Sequence, residues 1–251
     1  MEENWTTMGE GDGSFPITRL TILRQARMRS DGQRQEALGV LWQAYWKPLY
    51  AYARHHGRPN DAAKDLVQAF CAHAIEGDLL ARFNPEKGRL RAWLLHCFRD
   101  FMADEKAKEL AERRGAGTEH EPVEQVEVLD PAPDPERAYD LAWAKGLVER
   151  AFLRWKTVLA RKREDVWRLA LVQLIEVDGY GALPDLAIFA KRHFVGEAEV
   201  KEFVHYKSKI HLKHEILAEI REGSTSDAEA REELDFVLRC LASQPHPPGR
   251  T

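Results

Sequence analysis

Two groups of basic side chains have the spacing to bind the phosphates of a nucleic acid. In the first group, Lys201, His205 and Ser208 lie on one face of a predicted helix. Positive charge extends along the same helix through Lys207, Lys209, Lys213 and Arg221. In a chain of net charge −4, a helix this basic is a local electrostatic footprint for phosphate. A solvated amphipathic helix is the alternative interpretation.

The second group lies in residues 61–105, which read as two amphipathic helices joined by a loop with Pro85 and Gly88. At about 100° per residue, the polar residues of the second helix collect on one face, opposite its apolar stripe. They are Arg89, His96, Arg99 and Asp100. Such a helix pair can hold a protein on one side and open a nucleic acid on the other, although polar helix faces are often only solvated.

The residue pattern argues against an enzyme, a metal site or a cofactor. No H-E-x-x-H motif and no glycine-rich phosphate loop occurs, and the histidines do not combine with carboxylates at ligand spacing. Cys71, Cys97 and Cys240 are an odd number at wide spacings, which favours buried reduced thiols. The polar N-terminus and the lack of a long apolar run predict a cytoplasmic protein without membrane insertion.

The elements that position these residues predict an all-α protein of two small helical domains joined by an acidic flexible linker. The linker carries five Gly and Pro residues and has no sustained hydrophobic period. The predicted divisions are a lead-in (1–32), a first helical domain (33–110), the linker (111–134), a second helical domain (135–222), and a C-terminal helix with its tail (223–251).

Within the first domain we expect a helix that is kinked or interrupted at Pro48, and a second helix with Asn60 as its N-cap. Trp93 falls in the apolar stripe of the third helix and is assigned to the core. The inner stripe of the second helix is predicted to be Leu66, Ala69, Phe70 and His73. Near the C-terminus, a short helix, a turn at 194–197 and a long helix form a helix-turn-helix candidate.

Three segments of the first domain resemble domain 2 of bacterial RNA polymerase sigma factors of the sigma-70 family, most closely the extracytoplasmic-function type. The segments are WQAYWKPLY (42–50), DAAKDLVQAF (61–70) and FNPEKGRLRAWLL (83–95). Residues 197–205 are similar to the helix-turn-helix of sigma domain 4, and FPITRL (15–20) is similar to the opening of one subgroup. The order of these segments carries the resemblance.

The resemblance implies a protein that binds core RNA polymerase, recognises a promoter and stabilises its melted bases. It implies polymerase docking by Asp61, Asp65, Gln68 and Phe70, on the coiled coil of the largest subunit. It implies contact with the minus-ten element by Arg82, Phe83, Asn84, Lys87, Arg89, Arg91, His96 and Arg99, with Phe83 and Asn84 receiving a flipped base. It implies contact with the minus-thirty-five element by Lys201, His205, Tyr206, Lys209 and Lys213. The flap of the second polymerase subunit and an anti-sigma factor or other regulator are further implied partners.

Two departures from the family pattern keep alternatives open. Phe194 stands in the turn where the family usually has glycine, and Tyr206 and Ser208 stand where arginines are common. A sigma-like regulator that keeps a polymerase or protein contact without melting DNA is therefore one alternative. A generic helix-turn-helix transcription regulator is the other, and the C-terminal helix is expected either to pack or to contact a regulator.

Overall fold

The computed structural model describes residues 31–115, 134–161, 166–178 and 183–242. All regular elements in these ranges are helical, which confirms the predicted all-α class. The elements are α1 (Asp31–His55), α2 (Asn60–Glu76), two 3₁₀ turns (Leu79–Arg82 and Pro85–Lys87), α3 (Leu90–Gly115), α4 (Pro135–Ala160), α5 (Val166–Asp178), α6 (Leu186–Arg192), α7 (Glu197–Glu202), a π-helical turn (Phe203–Lys207), α8 (Ser208–Arg221) and α9 (Asp227–Ala242). The FPITRL segment and most of the predicted linker lie outside the described residues.

The beginnings of α4 and α6 follow from capping residues. The Asp134 side chain accepts a hydrogen bond from the backbone N–H of Glu136, and Pro135 occupies the first helical position. Asp185 likewise accepts from two backbone N–H groups at the start of α6. Asn60 does not cap α2, because its side chain instead accepts a hydrogen bond of 2.6 Å from the Tyr50 hydroxyl.

Helix α1 continues through Pro48, so the predicted interruption is wrong. A proline inside a helix removes one backbone hydrogen bond and crowds the preceding turn, which costs about 3 kcal/mol. Buried side chains on both sides of Pro48 offset this cost. Tyr45 and Leu49 are at most 2% exposed, and each holds its part of α1 against the core.

The larger hydrophobic core packs α1 against α2, α3 and α4. Phe70 lies at its centre, edge-on to Trp42 at 6.0 Å and to Phe98 at 5.0 Å between ring centroids. The predicted stripe of α2 is half right, since Ala69 and His73 are exposed. Its buried residues are Ala63, Leu66, Val67, Phe70 and Ala74, which follow the helical period more closely.

Two long helical segments connect this core to a smaller one. Helix α4 places Tyr139 in the larger core and Trp155 in the smaller core. The continuous helix from α7 through the π-helical turn to α8 does the same, with Phe203 in the smaller core and Ile220 in the larger. Helices within residues 135–222 therefore contribute side chains to both cores, and the predicted domain division stays a prediction.

The contact between α4 and α8 includes a buried ion cluster. Glu219 is 5% exposed and accepts hydrogen bonds from Arg150 at 2.5 Å and Arg154 at 2.9 Å. Arg154 also donates to Glu222. Because both arginines share one buried carboxylate, this cluster holds the two helices in a defined register.

The three cysteines are free thiols and each is partly buried. Burial raises the pKa of Cys71 to about 12, and burial also raises the pKa of Cys97 and of Cys240. The predicted reduced state agrees with this environment, since the reactive thiolate form is disfavoured. Among the described residues, no helix is both long and apolar enough to cross a bilayer.

Candidate functional site

An open cavity of about 300 Å³ lies between the end of α2, the first 3₁₀ turn and the start of α3. Trp93 and Phe101 line it together with Arg82, His73 and His96. Its remaining lining residues are Phe70, Leu79, Cys97, Asp100 and Asp104. Aromatic walls with a few polar groups at the rim are suited to a flat, polar-edged ligand such as a nucleobase.

Trp93 lines this cavity, whereas the predicted stacking residue Phe83 does not. Phe83 is 5% exposed and packs against the Trp93 ring at 5.3 Å between centroids. The predicted stacking residue Phe83 is thus buried in the larger core, whereas Trp93, assigned to the core, packs at the edge of that core and also lines the cavity. Burial of the Phe83 ring also joins the loop to the larger core.

The rest of the loop is shaped by Asn84 and Gly88. The Asn84 side chain accepts a hydrogen bond of 2.9 Å from the backbone N–H of Glu86, so it caps the second 3₁₀ turn. This engagement competes with its predicted contact to a base edge. Gly88 has φ 148°, a conformation that favours glycine, and it directs the chain into α3. Lys87 and Arg82 are exposed on the loop.

The two arginines at the start of α3 are held by carboxylates from distant helices. Arg89 forms ion pairs with Glu232 at 3.0 Å and with Glu233. Arg91 pairs with Glu233 at 2.8 Å and with Asp140 at 2.7 Å. Burial raises the pKa of Asp140, and the neighbouring Arg91 opposes that shift. The structure therefore places Arg89 and Arg91 in a partly buried ion cluster, not on a free surface.

Further along α3, the predicted cations His96 and Arg99 are exposed. Arg99 pairs with Glu136 of α4 at 2.6 Å, with both side chains about half exposed. His96 lies 3.4 Å from Asp100, one helical turn away. Exposed pairs of this kind contribute little to stability and exchange readily with other anions. These two side chains, with Arg82 and Lys87, form the accessible part of the predicted minus-ten surface.

The polar residues predicted to dock on polymerase lie on the outer face of α2. Asp61, Asp65 and Gln68 are all exposed there, with Lys64 3.3 Å from Asp61. Phe70 is fully buried at the centre of the larger core. Its predicted direct contact with polymerase is therefore wrong, and its role is to anchor α2 against α1 and α3.

The basic surface near the C-terminus has the predicted short helix, turn and long helix. The side chains predicted to contact DNA are all exposed, namely Lys201, His205, Tyr206, Lys209 and Lys213. Lys201 is paired locally with Glu197 at 2.5 Å, and a hydrogen bond to Glu197 raises the pKa of Lys201. Ser208, assigned to the exposed face, is buried and donates to the Val204 carbonyl. The cationic face is thus available from outside the molecule.

The turn before this helix has a Schellman motif with Phe194 in the position that glycine usually occupies. The Val195 N–H donates to the Ala190 carbonyl and the Phe194 N–H donates to the Lys191 carbonyl. Phe194 has φ 57° and is 98% exposed. A left-handed conformation costs a non-glycine residue about 1 kcal/mol, so the turn keeps its geometry at the expense of strain.

Sequence reasoning missed the partners that complete these surfaces. His73, Phe101 and Asp104 line the cavity, and the helical register of α3 with α2 could have suggested the first two as neighbours. Glu233 and Phe236 contact arginines about 140 residues earlier in the chain. No local pattern marks such a contact.

The cavity between α2 and α3 thus combines aromatic walls with basic and acidic groups at its rim. Residues 41–110, which build that cavity, match the family model of sigma-70 region 2. The match covers 70 of the 251 residues of the chain. No curated protein and no solved structure matches the chain.

Proposed function

We propose that the chain is a sigma factor of the extracytoplasmic-function type that acts in the cytoplasm. It binds core RNA polymerase, recognises promoter DNA and stabilises the first melted bases, and it catalyses no reaction itself. The observation that carries this proposal is the coincidence of the region 2 match with the residues that form the cavity. The exposed polar face of α2 supplies a separate surface for polymerase.

In this proposal the cavity beside Trp93 receives one unpaired base of the minus-ten element. Stacking on an aromatic side chain contributes about 1–3 kcal/mol per base, which offsets the cost of unstacking. Arg82 and His96 at the rim then contact the phosphates or base edges beside the flipped nucleotide. The exposed lysines of α7 and α8 contact the minus-thirty-five duplex, and the flap of the second polymerase subunit lies near the same helices.

The test is transcription by purified core RNA polymerase with the full chain and a library of random promoter sequences. Sequencing of the transcripts is expected to show specific start sites. We expect Arg82→Ala combined with His96→Ala to reduce initiation about tenfold, a loss of roughly 1.4 kcal/mol of DNA contacts, without changing polymerase binding. The matched control is Lys106→Ala combined with Lys108→Ala, because both lysines are exposed on α3 outside the cavity.

The outcomes separate the alternatives. Failure of the chain to co-migrate with core polymerase would exclude the sigma factor proposal. Polymerase binding without initiation would favour the sigma-like regulator. The ion pairs of Arg89 and Arg91 agree with this alternative, because they keep both side chains occupied in the chain alone. Duplex binding without polymerase binding would favour a generic helix-turn-helix regulator.

A further inference from the structure

The C-terminal helix α9 places acidic side chains on the arginines predicted to contact promoter DNA. Glu232 and Glu233 both pair with Arg89. Glu233 also pairs with Arg91 at 2.8 Å, and its side chain is 8% exposed. The carboxylate oxygens accept hydrogen bonds from the guanidinium N–H groups of these arginines. Phosphate oxygens would accept from the same N–H groups.

The same helix supplies an aromatic surface beside these carboxylates. The Arg91 guanidinium carbon lies 3.8 Å from the centroid of the Phe236 ring and 5.2 Å from that of Trp143. A guanidinium that is paired with an anion on one edge and stacked on a ring has the environment that a phosphate and a base would give it. Glu233 and Phe236 lie one turn apart on α9, so one helix face provides both features.

This arrangement restricts access to the arginines. The exposed fractions of the side chains are 27% for Arg89 and 12% for Arg91. Helix α9 is held over them by Leu234 and Val237, which are buried in the larger core. A single-stranded segment cannot pair with both guanidinium groups until Glu233 leaves them.

A short connection attaches α9 to the rest of the chain. Residues 222–226 join the end of α8 to α9, and Gly223 and Ser224 form turn hydrogen bonds there. Outside the turn, Arg221 pairs with Asp227 at 3.0 Å on an exposed surface. Among the described helices, α9 packs mainly on α4 and α8, so it can separate from the start of α3 without unfolding α1 or α2.

We propose that α9 is an internal competitor for nucleic acid, which mimics a phosphate and a base to keep Arg89 and Arg91 occupied until polymerase or DNA displaces it. The inference rests on the proposed function and on the contact of Arg89 and Arg91 with the minus-ten element that the sequence resemblance implies. The chain then exists in a closed state, with α9 in place, and an open state that binds single-stranded DNA.

The test measures binding of a fluorescently labelled single-stranded DNA oligonucleotide to the full chain by anisotropy. Glu233→Gln is expected to tighten binding about tenfold, since a closed population of about nine in ten lowers apparent affinity by that factor. Asp235→Asn is the matched control, because it removes one carboxylate from an exposed position of the same helix and is expected to leave binding unchanged. Adding Arg91→Ala to Glu233→Gln should abolish the gain.

Two further variants cover a loss of folding by Glu233→Gln. Glu232→Gln alters an exposed residue and is expected to give a smaller gain, and Phe236→Ala removes the stacking ring while leaving both carboxylates. Equal binding by wild type and all three folded variants would overturn the inference. So would a gain of the same size for Asp235→Asn.

Polymerase co-migration, measured in parallel, distinguishes this inference from the proposed function. If the chain binds polymerase and initiates but Glu233→Gln changes neither oligonucleotide binding nor initiation, the competitor role is wrong and the sigma factor role stands. If no chain binds polymerase yet Glu233→Gln tightens DNA binding through Arg91, the sigma factor role is wrong and the competitor role stands.

Discussion

The two surfaces predicted to bind DNA hold their cations in different ways. At the start of α3, Arg89 and Arg91 are paired with carboxylates from α4 and α9 and are largely shielded from solvent. On α7, Lys201 is exposed and paired only one turn away with Glu197. Because the partners of Arg89 and Arg91 lie on other helices, movement of those helices can release both arginines together. The partner of Lys201 lies on the same helix, so Lys201 stays exposed.

The difference in burial sets what each ion pair contributes. A carboxylate taken out of water is stabilised only while its partners remain, and removal of one partner leaves an uncompensated charge. Exposed pairs are screened by water and salt, so their loss is nearly neutral. Loss of the buried ion pairs at the start of α3 is therefore expected to lower stability, whereas loss of the exposed pair on α7 is not.

The largest expected effect follows from removing Glu233. Glu233→Ala leaves Arg89 and Arg91 without their shared buried partner, and we expect the free energy of unfolding to fall by about 3 kcal/mol. Urea denaturation followed by circular dichroism measures this change. Glu197→Ala is the control on the exposed surface and is expected to leave the midpoint unchanged. Equal effects of the two substitutions would remove the distinction between the surfaces.

Sequence periodicity predicted the helices well because local spacing determines which helix face is apolar. It placed Leu66 and Phe70 on the inner side of α2, where both are buried. It could not place Phe83, since a loop residue has no period and its burial depends on the path between two 3₁₀ turns. It also could not distinguish Trp93 from a fully buried residue, because both occupy the same positions of the helical period.

The contacts of Arg89 and Arg91 lay beyond sequence reasoning for a different reason. Their partner Glu233 is 142 to 144 residues away, and nothing in the acidic pattern of α9 distinguishes it from Glu232 or Asp235. The contribution of α4 to the larger core was beyond prediction for the same reason. Tyr139 reads as part of an amphipathic helix in either domain, and only the packed structure places it beside α1 and Arg91.

A smaller effect is expected on the exposed surface, and it concerns binding. Lys209→Ala combined with Lys213→Ala removes two cations from α8, and we expect duplex DNA to bind about tenfold more weakly. The slope of log affinity against log salt should fall by about 2, because each phosphate contact contributes about 0.9. Fluorescence anisotropy at several salt concentrations measures both quantities.

The control for this pair is Lys47→Ala combined with Lys145→Ala, which removes the same charge from exposed positions on α1 and α4. An equal loss of affinity in the two double variants would indicate that affinity for DNA depends on net charge alone. An unchanged slope for the α8 double would exclude phosphate contacts by this surface. Either result would exclude the proposed contact of Lys209 and Lys213 with the phosphates of duplex DNA.

The smallest expected effect concerns the turn that positions the exposed surface. Phe194→Gly relieves the left-handed strain at φ 57° and removes a ring that is 98% exposed, so little packing is lost. We expect the free energy of unfolding to rise by about 0.5 kcal/mol, because the strain outweighs the added freedom of glycine in the unfolded chain. Urea denaturation measures the change, and Phe194→Ala, which keeps the strain, is the control. A loss of stability in Phe194→Gly would mean that the added freedom of glycine in the unfolded chain outweighs the relieved strain.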